Sequence, residues 1–379
     1  MKKGEILYCG EYTGFAGGIE RYAFRTAQCL REAGWSVDWC GTRSARGEES
    51  FRCGFDRVFS PDDLPAEMSG CRLAILHKLP DAEFLARLRA RLGDRLVFLA
   101  HDHDLYCPRR HYYTPFGRIN CHRAFEPVRC GLCSHLASPR NWPDAGRSRS
   151  ALLRELRDHH AAVLSSFMKD NLVRNGFREE RIHSLPPVIE PSGSIPARTE
   201  PGKDFRILFL GQLIRGKGAD LFLRALADLR IPWRATLAGD GNDRTMLENL
   251  AESLKIADRI RFTGWLDDPG SCFADCDAAV FPSRWQEPFG LSGAEALAHG
   301  VPVVAFDVGG VREWLAHGVS GFLVPELDVA AFSAKLEELY EDPALRKRLG
   351  ASGAEQMRER FSRIRFLEAV ERLTEAVNP

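Results

Sequence analysis

Short apolar runs alternate with stretches of helical periodicity along this chain, stop at a proline-rich segment near its middle, and start again. Such alternation is the pattern of βαβ units on a parallel sheet, and the restart calls for two sheets. In the first half Ile6–Cys9, Ser36–Cys40, Leu73–Leu76, Leu96–Ala100 and Ala161–Ser165 read as strands. A helix from about Ile19 to Ala33 presents Tyr22, Ala23, Thr26, Ala27 and Leu30 as one stripe and stops at Gly34. Between Leu185 and Lys203 five prolines and no helical period indicate an extended linker. Strands Arg206–Leu210, Arg234–Ala238, Ile260–Phe262, Ala278–Phe281 and Val303–Phe306 then alternate with helices Ala219–Leu229, Asp243–Leu254 and Leu291–His299, and 328–379 is almost wholly helical in pattern. The expected architecture is α/β: doubly wound, Rossmann-like domains at 1–190 and 204–355, a linker at 191–203, and a terminal helix at 356–379 that packs back on the first domain. In such sheets ligands bind at the carboxyl ends of the strands.

Charge gives no reason to expect nucleic acid, because 52 basic side chains balance 52 acidic ones over 379 residues. The balance conceals an asymmetry: residues 1–190 hold 29 basic and 24 acidic side chains, and 191–379 hold 23 and 28. Within 105–157 ten arginines meet only Glu126, Asp144 and Glu155, an excess that attracts an anionic partner. No apolar run is long enough for a signal peptide or a membrane span, and eleven cysteines, an odd number, read as reduced thiols. The cytoplasm is the expected compartment.

In the second half Glu287-Pro-Phe-Gly-Leu-Ser-Gly-Ala-Glu295 follows a strand and opens a helix. The backbone of Phe289, Gly290 and Leu291 lies at the helix start, where free N–H groups and the helix dipole stabilise a phosphate. Carboxylates at Glu287 and Glu295 bracket that turn, and a carboxylate accepts two hydrogen bonds from a sugar diol. Gly211-Gln-Leu-Ile-Arg215-Gly-Lys217-Gly218 follows another strand, supplying a fork and a point charge for a diphosphate. Ala238-Gly239-Asp240-Gly241 ends the next strand in a tight turn. Taken singly, these residues also read as surface carboxylates and a solvated basic turn.

Gly211–Gly218, Ala238–Gly241, Phe262–Gly264, Glu287–Glu295, Gly309-Gly310 and Gly318–Val324 resemble, in order and spacing, the family-4 retaining glycosyltransferases (glycosyl transferases group 1) of GT-B fold. The resemblance implies two Rossmann-like domains facing across a cleft and a nucleotide-diphosphate sugar as donor. It implies that Arg215 and Lys217 hold the donor diphosphate, Glu295 the nucleotide ribose and Glu287 hydroxyls of the transferred sugar, with Phe262 bordering the base and Gly211 and Gly239 lining the same site. It also implies retention of anomeric configuration without a metal, the two cations standing where a divalent ion acts elsewhere.

Gly17-Gly18-Ile-Glu-Arg resembles the family's glycine-rich turn after the first strand, a place for donor phosphate or acceptor. His101-Asp102-His103-Asp104 follows Leu96–Ala100, and the resemblance carries an active-site role to His101 with Asp102 beside it. The same four residues would also suit a metal. The acceptor implied is a glycan, a lipid-linked sugar or a small-molecule hydroxyl. Arg109 and Arg110, in the basic and aromatic loop at about 105–145, are candidates for its anionic part, and a solvated basic face is the alternative. Peripheral contact with the inner membrane face is a further expectation; the helix Ser150–His159 would add to it, although its leucines also suit a core.

Cys107, Cys121, Cys130 and Cys133 fall in that loop as C-x13-C-x8-C-x2-C. Four thiolates would make a structural Zn²⁺ site that staples a long loop, with no metal required for catalysis. An iron–sulfur cluster, a redox pair and four unrelated thiols are the alternatives, and the minimal family pattern lacks this insertion. Rival functions are a sugar epimerase or phosphorylase on the same fold, or a binding or regulatory protein on a transferase scaffold. A dehydrogenase is disfavoured, because neither glycine-rich turn reads G-x-G-x-x-G.

Overall fold

The computed structural model describes residues 3–65, 67–78, 82–109, 112–114, 119–137, 144–191, 204–266 and 269–378. Arg110, Arg118 and all but the first residue of the expected linker lie outside them. The chain forms two compact units, Met1–Val188 with Arg363–Pro379, and Ile189–Ser362.

The first unit is a seven-stranded sheet: β1 (Glu5–Thr13), β2 (Ser36–Ser44), β3 (Arg57–Phe59), β4 (Cys71–Leu76), β5 (Leu96–Ala100), β6 (Ala161–Val163) and β7 (Ile182–Ser184), in the order β3-β2-β1-β4-β5-β6-β7. All its pairings are parallel. Parallel strands are covered on both faces, which is why β5 is buried along its whole length. Around the sheet run α1 (Gly18–Glu32), α2 (Glu48–Arg52), α3 (Ala82–Leu92), α4 (Pro127–Ala137), α5 (Asp144–Leu156) and α6 (Ser166–Arg174). The stripe read from sequence on α1 is its buried face. The edge strands β3 and β7 escaped the sequence reading because three residues each, carrying Arg57 or His183, give no apolar run.

The second unit has six parallel strands, β8 (Phe205–Leu210), β9 (Trp233–Ala238), β10 (Ile260–Gly264), β11 (Ala278–Phe281), β12 (Val303–Phe306) and β13 (Gly321–Val324), ordered β10-β9-β8-β11-β12-β13. Its helices are α7 (Ala219–Asp228), α8 (Arg244–Ser253), α9 (Leu291–Ala298), α10 (Val329–Glu341) and α11 (Pro343–Arg360). Asp342 caps α11 by accepting from the Leu345 amide at 2.9 Å, with Pro343 at the first position.

The last helix, α12 (Arg363–Val377), begins at Arg363 rather than at 356. The helical pattern of the tail is continuous in sequence, but α11 stops at Arg360, and the crossing to the first unit is made after Ser362. There α12 buries Phe366, Val370 and Leu373 against α1 and β4, and Asn378 donates to the Arg72 carbonyl at 2.8 Å.

Candidate functional site

In each sheet the strand order reverses once, and at such a switch point a crevice opens beyond the strands' carboxyl ends. In the second unit the reversal lies between β8 and β11. The turn after β8 carries Gly211, Arg215 and Lys217, and the segment after β11 carries Ser283, Arg284 and Glu287. Two hydrogen bonds fasten one to the other: the Gly216 carbonyl accepts from the Arg284 amide at 2.9 Å, and Arg284 Nη1 donates to the Arg215 carbonyl at 3.0 Å. Arg284 also forks onto Asp220 at the start of α7. Burial alone would raise the Asp220 carboxyl, but Arg284 outweighs it and holds it below the usual carboxylate range. The approach of the two segments requires Gly218, whose φ is +72° and where a Cβ would stand 1.8 Å from the Pro282 carbonyl oxygen.

Lys217 Nζ donates to Glu287 Oε1 at 2.7 Å, and Ser283 Oγ donates to the same oxygen at 2.6 Å. Glu287 is buried, and its carbonyl accepts from the Gly310 amide at 2.7 Å, so the Gly309-Gly310 pair fixes its backbone. Lys217 keeps two further N–H donors for a ligand anion. Arg215 stays exposed. Gly239, after β9, packs its backbone on Gly211, where a Cβ would come 2.0 Å from the Gly211 carbonyl oxygen.

Gly290 caps α9, Leu291 opens it, and Glu295 lies half-buried one turn on. The Phe289 side chain is core: it is buried, packs edge-on against Phe361, and its carbonyl accepts from Trp314 Nε1 at 2.6 Å. Any ligand contact at Phe289 is therefore through its backbone. Phe262 is half-buried on β10.

In the first unit the reversal lies between β1 and β4. Gly17 caps α1 in an extended conformation and Gly18 opens the helix. Buried Glu20 accepts backbone hydrogen bonds from Gly17 and from its own amide, so part of that N-terminus is satisfied internally; burial raises the Glu20 carboxyl against those bonds. At the end of β4 stand His77 and Lys78, which sequence reasoning missed, although a His-Lys pair directly after a predicted strand was a legible signal. His77 Nδ1 and His101 Nε2 are 2.9 Å apart with their rings stacked, and Tyr22 meets the His101 ring edge-on at 4.9 Å. Lys78 bridges Asp102, at 2.5 Å, and Asp104. Its charge outweighs the effect of burial and keeps Asp102 below the ordinary carboxylate range.

Burial pushes His101 down to about 3, with Lys78 adding to the shift and Asp102 opposing it, and burial followed by the His101 charge depresses His77. Both rings are thus neutral near pH 7 and share one N–H. His77 Nε2 is buried without a partner among the described residues. A buried lone pair is cheaper to leave unpaired than a buried N–H. We therefore assign the shared proton to His77 Nδ1, which leaves His101 with its proton on Nδ1 as a hydrogen-bond donor.

The sign of the resulting pH dependence is fixed. The unfolded histidines take up protons as pH falls below about 6.5, while the folded ones stay neutral, so stability is full above that value and declines toward pH 3. His159, His160 and His183 are also depressed, chiefly by burial, and act in the same direction. Melting temperature is expected to drop steadily between pH 6.5 and 4; a flat profile across that window would contradict the assignment.

Arg109 is held within its own loop, stacked 4.6 Å over the Tyr113 ring and donating to the Tyr113 carbonyl at 2.9 Å. The four loop cysteines share one neighbourhood, with Cys107 feeling Cys121 and Cys130, and Cys130 feeling Cys121 and Cys133. Among the described residues, however, no three His, Cys, Asp or Glu side chains stand where they could hold a metal ion. Cys107 is sunk in the core and pushed up to about 11 by burial, Cys121 packs half-buried against that core, and Cys130 and Cys133 are half-buried on a helix. The loop also contains a helix, α4, with Pro127 at its first position, where no amide is needed. Ser150–His159 lies mostly in α5, with Leu153 and Leu156 buried. No described helix is long and apolar enough to cross a membrane.

Matches to known protein families run along nearly the whole chain. Residues 194–356 match the family described as glycosyl transferases group 1, and 16–192 match glycosyltransferase family 4. Lipopolysaccharide core biosynthesis glycosyltransferase LpsD of Rhizobium meliloti is 32% identical over 48% of this chain and 51% of its own length. D-inositol 3-phosphate glycosyltransferase 1 of Catenulispora acidiphila is 28% identical over 95% of this chain and 90% of its own. The chain spans about half the length of the first curated relatives it matches. Among solved structures, Anabaena HepE in complex with UDP and glucose superimposes with a TM-score of 0.73 over 98% of this chain and 100% of that one, at 18% identity. With both halves matched and the fold superimposing on that structure, the chain belongs to the group 1, family-4 glycosyltransferases of GT-B fold.

Proposed function

We propose that the chain moves a sugar, with retention and without a metal, from a nucleotide-diphosphate donor to a hydroxyl acceptor in glycan, polysaccharide or glycolipid synthesis in the cytoplasm. The observation that carries this reading is the Lys217–Glu287–Ser283 cluster at the switch point of the second sheet, with exposed Arg215 beside it. Arg215 and Lys217 neutralise the diphosphate as the bond from the anomeric carbon to the phosphate oxygen breaks and its electron pair passes to that oxygen. Glu287, fixed by Lys217 and Ser283, accepts hydroxyls of the sugar, and Glu295 accepts the ribose diol. The acceptor hydroxyl attacks from the face the diphosphate leaves, and its proton goes to the departing phosphate oxygen. His101, neutral, acts as a hydrogen-bond donor to the sugar rather than as a proton acceptor.

Purified protein should turn over sugars of one nucleotide class in a panel of uridine, guanosine, thymidine and adenosine diphosphate sugars. NMR should show the anomeric configuration kept, and EDTA should leave the rate unchanged. Glu295→Ala is expected to raise donor KM by about tenfold, the loss of a charge-assisted hydrogen-bond pair. Absence of both binding and turnover across the panel would overturn the reading.

A further inference from the structure

Helix α4 is inside out. Val128, Leu132 and Leu136, spaced four residues apart and so on one stripe, are 66%, 48% and 58% exposed, while Ser134 on the opposite side is buried and Cys130 and Cys133 are half-buried. Ile119, in the segment leading to the helix, is 67% exposed. Large apolar side chains this exposed are few among the described residues, and these four fall within one stretch of eighteen positions. A soluble helix normally turns such a stripe inward, so a run of them outward marks an interaction surface.

The charge around the stripe names the occupant. Between Leu105 and Ala137 the sequence has five arginines and one acid, Glu126. Exposed Arg123 and Arg129 flank the stripe. The Glu126 carboxylate is turned onto α4, accepting from the Val128 amide at 3.0 Å and the Arg129 amide at 2.6 Å, so it caps the helix terminus. An apolar face rimmed by arginines fits the interface of an anionic bilayer, where the side chains enter the acyl boundary and the guanidiniums meet lipid phosphates.

We infer that the outer face of α4, with Ile119, Arg123 and Arg129, docks the first unit onto an anionic lipid surface. The inference stands apart from the catalytic reading, because it concerns binding alone. A helix of eleven residues provides a reversible foothold rather than an anchor. The thiol-bearing side of the helix faces the protein, which leaves the apolar side free to enter lipid.

Co-sedimentation with vesicles tests this, using phosphatidylcholine alone and phosphatidylcholine with about a third phosphatidylglycerol, at low and high salt. Binding is expected to the anionic vesicles only and to weaken at least about tenfold at high salt. Leu132→Glu/Leu136→Glu and Arg123→Glu/Arg129→Glu should each reduce binding at least about tenfold, with far-UV circular dichroism and nucleotide affinity as in the wild type. Equal binding to neutral vesicles, no binding to either, or undiminished binding by both variants would overturn the inference. So would light scattering that shows a dimer which Leu132→Glu/Leu136→Glu converts to a monomer, since the occupant would then be a second copy.

Discussion

Lys217→Met should lower kcat/KM by about 10²- to 10³-fold, the loss expected when a fixed cation at a developing charge is removed. The same change should destabilise the second unit, because Glu287 keeps 7% of its side-chain surface exposed and would lose its ion pair while remaining buried. A fully buried pair would cost about 3–5 kcal/mol on losing one partner. Lys217 is 25% exposed, so screening brings the expected cost nearer about 2 kcal/mol. The double variant Lys217→Met/Glu287→Gln should recover most of that stability, since the orphan charge is gone, and recover no activity. Melting curves beside steady-state rates separate the two effects. If the double variant stays as unstable as the single one, the ion pair is not what Lys217 contributes to folding. If either variant retains wild-type turnover, Lys217 does not meet the diphosphate.

The second large effect concerns His77, which touches no substrate in this account and acts through His101. His77→Phe keeps a buried ring and removes the N–H that the His101 Nε2 atom accepts, so the His101 tautomer is no longer fixed. Turnover should fall by about 10- to 100-fold, matching an unsatisfied buried polar group of about 1–3 kcal/mol, with donor KM little changed. His77→Asn, whose amide N–H can take the place of Nδ1–H, should restore part of the rate. A role in packing alone would predict the reverse, the aromatic variant being active and the amide variant impaired. In the wild type, kcat/KM should show no step near pH 6.5 attributable to His101, because its titration is displaced to about 3.

Where an element carries its own pattern, the sequence was enough. The α1 stripe, the buried runs of β4 and β5 and the helix opened by Leu291 each follow from local periodicity and end signals. The Lys217–Glu287 contact is of another kind. It joins residues seventy positions apart and depends on β8 and β11 being neighbours at the reversal, which spacing cannot state. His77 and His101 likewise meet only because β4 and β5 are adjacent and in register. Phe289 was expected at the site through its backbone alone, and where its ring goes, into the core against Phe361, is again a matter of distant neighbours that spacing does not state. For the cysteines, spacing announced a cluster but not whether four sulfurs converge, since Cys107 is set by the core and Cys130 and Cys133 by a helix face.

We propose that the β8–β11 switch point binds a nucleoside diphosphate through Arg215 and Lys217. Calorimetric titration of UDP, GDP, dTDP and ADP into the wild type and into Arg215→Ala/Lys217→Met/Glu287→Gln tests this, the Glu287 change removing the orphan charge so that the variant stays folded. Saturable binding of one of the four by the wild type is expected, with at least about a hundredfold weaker binding by the variant, two charge-assisted contacts being lost. Equal affinity in both proteins would contradict it.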